Sequence, residues 1–235
     1  DSQVKQGLMK ILFVNQKTSL NYKLNENSLD FSTKGQKNQY DGLIEFKPFY
    51  LKANFNYEGI STKNWFDDNS IFYNLIKSEL FNNENLNVNL NLKIKDIVNI
   101  NELNNLFLNL VVESGDINFL DSNIMWKDDL KIHLTESLLN IDQDEIYLTG
   151  KIVIDIKDTN DCYKSFQIKK DYRKKIEEVK FDFNYNFTEQ KISFNNFEID
   201  NKPSLNIENF VEKFNLEEKF FNKITFKNFV NDFFK

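Results

Sequence analysis

The 235-residue chain is short of several residue types, and each shortage excludes something. It has one cysteine, Cys162, so no intrachain disulfide can form. That neither requires the cytosol nor excludes the periplasm. It has one histidine, so a serine or cysteine nucleophile would have to find its base at His133. None of its six glycines builds a phosphate-cradling loop. No run approaches the ~18 apolar residues of a membrane span, and no signal peptide is visible. Because the chain begins at Asp1 rather than Met, a fragment or a processed form is expected. A basic excess is also missing. Net charge is −6 and the signs are mixed along the chain, which argues against a nucleic-acid partner. Ala53 is the sole alanine and Arg173 the sole arginine, while Asn, Lys, Phe and Ile dominate, the usage of an AT-rich genome.

What the chain has in abundance is alternation. From Leu86 to Lys95, Leu86, Val88, Leu90, Leu92 and Ile94 are apolar, and Asn87, Asn89, Asn91, Lys93 and Lys95 are polar. A strand sends successive side chains to opposite faces, so this stretch predicts one oily face and one wet face. The same design recurs. Gly7 to about Ser32 reads as two or three strands, and Gly42 to Tyr57 as a strand pair interrupted near Pro48. Leu106–Glu113 turns at Ser114, Gly115 and Asp116 into Ile117–Leu120. Further strands follow at Ser122–Trp126, Leu130–Thr135, Leu138–Ile141, Ile146–Ile156, Val179–Phe187 and Ile192–Ile199. Short turns between short strands imply mainly antiparallel neighbours.

Two stretches change period. Phe72, Leu75, Ile76 and Leu80 fall at helical spacing behind the capping residues Asp67, Asp68 and Asn69, predicting an amphipathic helix near 68–81. After Pro203, Ile207, Phe210, Val211 and Phe214 form one stripe. Phe220 to Phe234 carry a second, predicting helices near 206–234. Lys157–Glu178 is less regular and reads as a short helix or excursion. No Gly/Ser/Pro linker divides the chain, so one domain is expected. The resulting fold class is mainly β: a long curved antiparallel meander forming a trough or incomplete barrel, with helices at those two places.

Three stretches together resemble the C-terminal region of bacterial AsmA-like proteins. They are Glu113–Phe119 followed by Asp121–Asp129, then Ile146–Asp155, then Phe166–Lys175 leading to the Val179 strand and the Phe226–Phe234 tail. The resemblance spans roughly Gly42 to the end. The family is similar in fold to bridge-like lipid carriers. The resemblance implies a non-enzymatic role in phospholipid traffic or outer-membrane lipid homeostasis. It further implies a place in the bacterial periplasm, attached to the inner membrane by an anchor upstream of this chain. Phospholipid acyl chains are the partner it implies, with outer-membrane proteins as a further one and no cofactor.

An acyl chain needs a dry, continuous track, and alternating strands side by side provide one. Parity selects Leu86, Val88, Leu90, Leu92, Ile94, Leu106, Leu108, Leu110, Ile152, Ile154, Phe181 and Phe183 as candidate groove residues. Lys169, Lys170, Arg173, Lys174 and Lys175 are candidate contacts for anionic headgroups. The plainer alternative is a solvated face balanced by Asp171, Glu177 and Glu178. His133 has wet-face parity and reads as a surface imidazole rather than a ligand or base. Cys162 reads as a buried, inert thiol, with a reactive one as the alternative. The acidic turn at Asp142, Asp144 and Glu145 lacks the glycine and distal glutamate of an EF-hand, so no metal is expected. Two rivals stand beside the lipid carrier. A ligand-free structural or adhesive β-sandwich would seal its oily faces. A carbohydrate-processing enzyme would need a polar cleft with two converging carboxylates, where an apolar cleft is expected.

Overall fold

The computed structural model describes residues 4–13, 16–33, 37–61, 83–98, 100–142, 145–189, 191–204, 207 and 211. It divides into two compact units, Asp1–Ser122 and Asn123–Lys235, each described by itself. The chain is mainly β, with fourteen strands among the described residues. The helix expected near 68–81 lies outside the described residues. So does most of the tail from 206 to 234.

The first unit contains β1 (Lys5–Phe13), β2 (Gln16–Leu24), β3 (Ser28–Ser32), β4 (Gln39–Phe46), β5 (Phe49–Ile60), β6 (Asn87–Ile97), β7 (Leu103–Glu113) and β8 (Asp116–Phe119). They are hydrogen-bonded in chain order. Each pair is antiparallel except β5–β6, which is parallel with Tyr50 opposite Asn87 and Tyr57 opposite Ile94. The sheet is therefore mainly antiparallel, as the short turns imply, and mixed through this one parallel pair. The physical reason is chain length. A parallel pair needs a crossover of a dozen or more residues, and the stretch between Ile60 and Asn87 supplies it.

Turn chemistry fixes the hairpins. Ser114 and Gly115 both have positive φ, 54° and 87°, the pair of left-handed residues that a two-residue turn between twisted strands requires. Pro48 sits in the β4–β5 turn, after a cis peptide bond, where its missing N–H leaves no ladder bond unmade.

The second unit contains β10 (Leu130–Asp142), β11 (Glu145–Ile156), β12 (Glu178–Asn186), β13 (Lys191–Ile199) and β14 (Lys202–Pro203), all antiparallel to their neighbours in that order. β9 (Ser122–Trp126) begins at the boundary and pairs with β10. The registers of β10–β11 and β12–β13 each shift once, and Glu136 and Asn196 adopt positive φ at those shifts. Between β11 and β12 the expected excursion is a helix, α1 (Thr159–Phe166), followed by a 3-10 turn at Lys170–Tyr172. Asp158 caps α1 by accepting hydrogen bonds from the backbone N–H groups of Asn160 and Asp161.

α1 covers one end of the second unit's oily face. Cys162, Tyr163 and Phe166, with Ile168 just beyond, bury against Leu130, and Trp126, Ile154 and Ile156 pack around them. Trp126 stacks on Phe166 with ring centres 5.5 Å apart. Another part of that face is covered from the chain's tail. Ile207 and Val211 are helical, four residues apart, and buried against Phe183, Phe194 and Phe197.

Candidate functional site: one apolar and one polar sheet face

In the first unit the registers line apolar side chains up strand by strand. Leu24 faces Leu29, which faces Ile44, which faces Leu51, which faces Val88, which faces Val112, which faces Ile117. The adjacent row runs Tyr22, Phe31, Gly42, Ala53, Leu90, Leu110 and Phe119. Tyr40, Phe55, Leu92 and Leu108 form a third row, and Tyr57, Ile94 and Leu106 a fourth. Seven of the candidate groove residues therefore share one face: Val88, Leu90, Leu92, Ile94, Leu106, Leu108 and Leu110. Leu86 precedes β6 and is half-buried.

Burial along this face is uneven. Ala53, Val88, Ile94, Leu110, Val112 and Ile117 are buried, whereas Leu51, Phe55, Leu90, Leu92, Leu106 and Leu108 are only half-buried. Part of the apolar surface thus remains accessible at these positions. Sequence reasoning missed the aromatic contribution of β4 and β5. Tyr40 packs its ring 5.7 Å from Phe55 and 5.3 Å from Tyr57. Burial, together with Tyr40, raises the Tyr57 hydroxyl well above the usual phenol range. The alternation of Leu51, Ala53, Phe55 and Tyr57 carried that signal, but the matching phase of β4 becomes visible only with the register.

The other four groove candidates sit differently. Phe183 is 6% exposed, in a cluster with Phe194, Phe197, Ile207 and Val211, and Ile152 and Phe181 pack on that cluster. Phe181 stacks on Phe197 with centres 4.8 Å apart. Ile154 packs on the α1 cluster. Phe183 is therefore core, and Ile152, Ile154 and Phe181 are half-buried against these clusters.

The basic block is partly committed within the fold. Arg173 donates from Nε to the Ile168 carbonyl at 3.0 Å, and its guanidinium lies 5.9 Å from the centre of the Tyr163 ring. Lys175 pairs with Glu177 at 2.5 Å. His133 Nε2 lies 2.8 Å from an Asp155 carboxylate oxygen on the neighbouring strand, so the wet-face imidazole has a specific partner that parity alone did not name. Cys162 is buried, which pushes its thiol up to about 11, with Asp129 adding to the rise. A thiol held protonated in this way is a poor nucleophile.

On the opposite, polar face of β1–β5 lies a hollow of about 630 Å³. It holds two lysines, Lys23 and Lys52, and two aspartates, Asp30 and Asp41. Polar side chains of the sheet line it together with Leu43, and Tyr22, Phe31 and Gly42 also border it.

No family model, no curated protein and no solved structure matches this chain.

Proposed function

We propose that the chain is a non-enzymatic module whose first unit shields lipid acyl chains on the apolar face of β3–β8. The observation that carries this reading is the set of cross-strand apolar rows, in which Leu90, Leu92, Leu106 and Leu108 are only half-buried. Each methylene brought onto such a face is worth about 0.8 kcal/mol, so a stretch of a few carbons is enough for measurable binding. The sequence resemblance supplies the setting: phospholipid traffic or homeostasis in a bacterial envelope, on the periplasmic side of the inner membrane. In this reading Phe181, Phe183, Ile152 and Ile154 act as core of the second unit, and the lipid track is confined to the first.

A specific observation favours a second reading, a ligand-free β scaffold. The second unit packs α1, Ile207 and Val211 over part of its own oily face. In the first unit Ala53 and Ile94 are each only 1% exposed.

Native mass spectrometry of the protein gently purified from bacterial membranes, followed by lipid extraction, separates the two. The lipid reading expects co-purified phospholipid in the native chain and its loss in a Leu92→Asp, Leu108→Asp variant that still melts cooperatively. Absence of lipid from the native chain would leave the scaffold.

A further inference from the structure

The hollow on the wet face has an internal order of its own. Register places its side chains in two adjacent cross-strand rows. One row runs Gln6, Lys23, Asp30, Leu43 and Lys52 across β1 to β5. The other runs Asn21, Ser32, Asp41 and Asn54, and continues onto β6 at Asn91. Donors and acceptors are interleaved within both rows. The second row is already tied together. The Asn54 amide donates to an Asp41 carboxylate oxygen at 2.7 Å, and the Asn91 amide donates to the Asn54 carbonyl oxygen at 3.1 Å. Such a chain holds its polar groups in place before any ligand arrives, which lowers the entropy cost of binding.

The chemistry of the rows narrows the ligand. Two lysines and two aspartates line the hollow, so it carries no net charge to recruit an anion, and nucleic acid is disfavoured. No group of three or more His, Cys, Asp or Glu that could hold a metal ion occurs among the described residues. An extended peptide would seek a free strand edge, whereas here backbone groups on both sides of β2, β3 and β4 are used within the sheet. What fits is a ligand whose groups each donate and accept, set around a small apolar patch. Leu43, half-buried between Asp30 and Lys52 in its row, supplies that patch, with Tyr22 and Phe31 also bordering the hollow. Vicinal hydroxyls on a sugar ring, with C–H groups on the ring face, have this character. The volume lies within the 300–1,000 Å³ of ordinary small-molecule sites.

We propose that the polar hollow binds a neutral glycan segment, laid across the two rows with its hydroxyls on Asp30, Asp41, Asn54 and Lys52. This stands apart from the acyl-chain reading, because it uses the opposite face of the same strands.

The test is a ¹H–¹⁵N NMR titration of the full chain with maltotetraose, cellotetraose and chitotetraose. At least one should shift amides of β2–β5 with an affinity on the order of 1 mM. An Asp41→Ala, Asn54→Ala variant should weaken that binding roughly tenfold, the usual effect of losing hydrogen-bond partners in a site. Lys93→Ala, on the same face but outside the hollow, should leave it unchanged. If the first variant melts early, Asp30→Asn combined with Lys52→Met serves in its place. The proposal is overturned if no neutral tetrasaccharide shifts these amides at about 10 mM. It is equally overturned if binding survives both variants, or if only a sulfated tetrasaccharide binds and high salt removes it.

Discussion

At the scale of single residues, two positions show how tightly the strands are fitted. A Cβ built on Gly150 would come within 2.8 Å of the Ser137 Cβ and 2.9 Å of its Cα, with the Phe183 ring at 3.1 Å. Ser137 is itself 1% exposed and lies within the register shift of β10. A Gly150→Val chain should therefore lose about 1–3 kcal/mol in urea denaturation, since well-packed sites resist added methyl groups. An unchanged midpoint would show that the β10 bulge yields. Asp200 gives a pH signature. Its carboxylate accepts from the backbone N–H groups of Glu177 and Glu178 at 2.9 and 3.0 Å, and this lowers its pKa below the ordinary 3.8. A depressed carboxyl pKa contributes stability above the unfolded value and loses it as pH falls through the folded value. Asp200→Ala should therefore narrow the gap to the native chain when melting is compared at pH 7 and then below about pH 3.8. A gap that stays constant with pH would mean the bonds do not favour the charged form. The alternation that predicted the strands could reveal neither site. Gly150 matters because of what lies across the strand, and Asp200 because it reaches back over the sheet to the start of β12.

At the scale of elements, the strands were legible because each writes its own alternation, whereas pairing direction depends on what joins them. The helical period between Phe72 and Leu80 already implied a long connection between β5 and β6. A long connection is what permits the parallel pair, and a reading of mainly antiparallel neighbours leaves open which pair it is. The excursion before β12 was legible as a short helix or excursion but not as a lid, because only Cys162, Tyr163 and Phe166 mark its buried face. α1 ends at Gln167, whose φ of 58° and ψ of 38° are left-handed. Glycine adopts that conformation without a Cβ penalty. Gln167→Gly should raise stability by up to about 1 kcal/mol in thermal or urea melts. A loss of stability would mean that the Gln167 side chain contributes more than its backbone strain costs.

At the scale of the whole molecule, the two units handle the same problem differently. Both write an oily face by alternation. In the second, α1, Ile207 and Val211 pack over part of it, and in the first, Leu90, Leu92, Leu106 and Leu108 stay half-buried. Parity could not separate these outcomes, because Phe183 and Leu92 look equivalent as members of alternating strands. Only the packing partners distinguish them. The basic block follows the same logic. Arg173 is held by Ile168 and Tyr163, and Lys175 by Glu177. Replacing Lys169, Lys170 and Lys174 with Gln should leave binding to vesicles containing anionic phospholipid unchanged in a flotation assay. A loss of binding would assign headgroup contact to this segment. The central claim is that an acyl chain lies on the β6–β7 part of the first unit's apolar face. Photo-crosslinking with a phospholipid carrying a diazirine on its acyl chain, read by peptide mass spectrometry, tests it most directly. The account predicts adducts at Leu90, Leu92, Leu106 and Leu108. Adducts only at Lys169–Lys175 or in the polar hollow, or none in a folded chain, would contradict it.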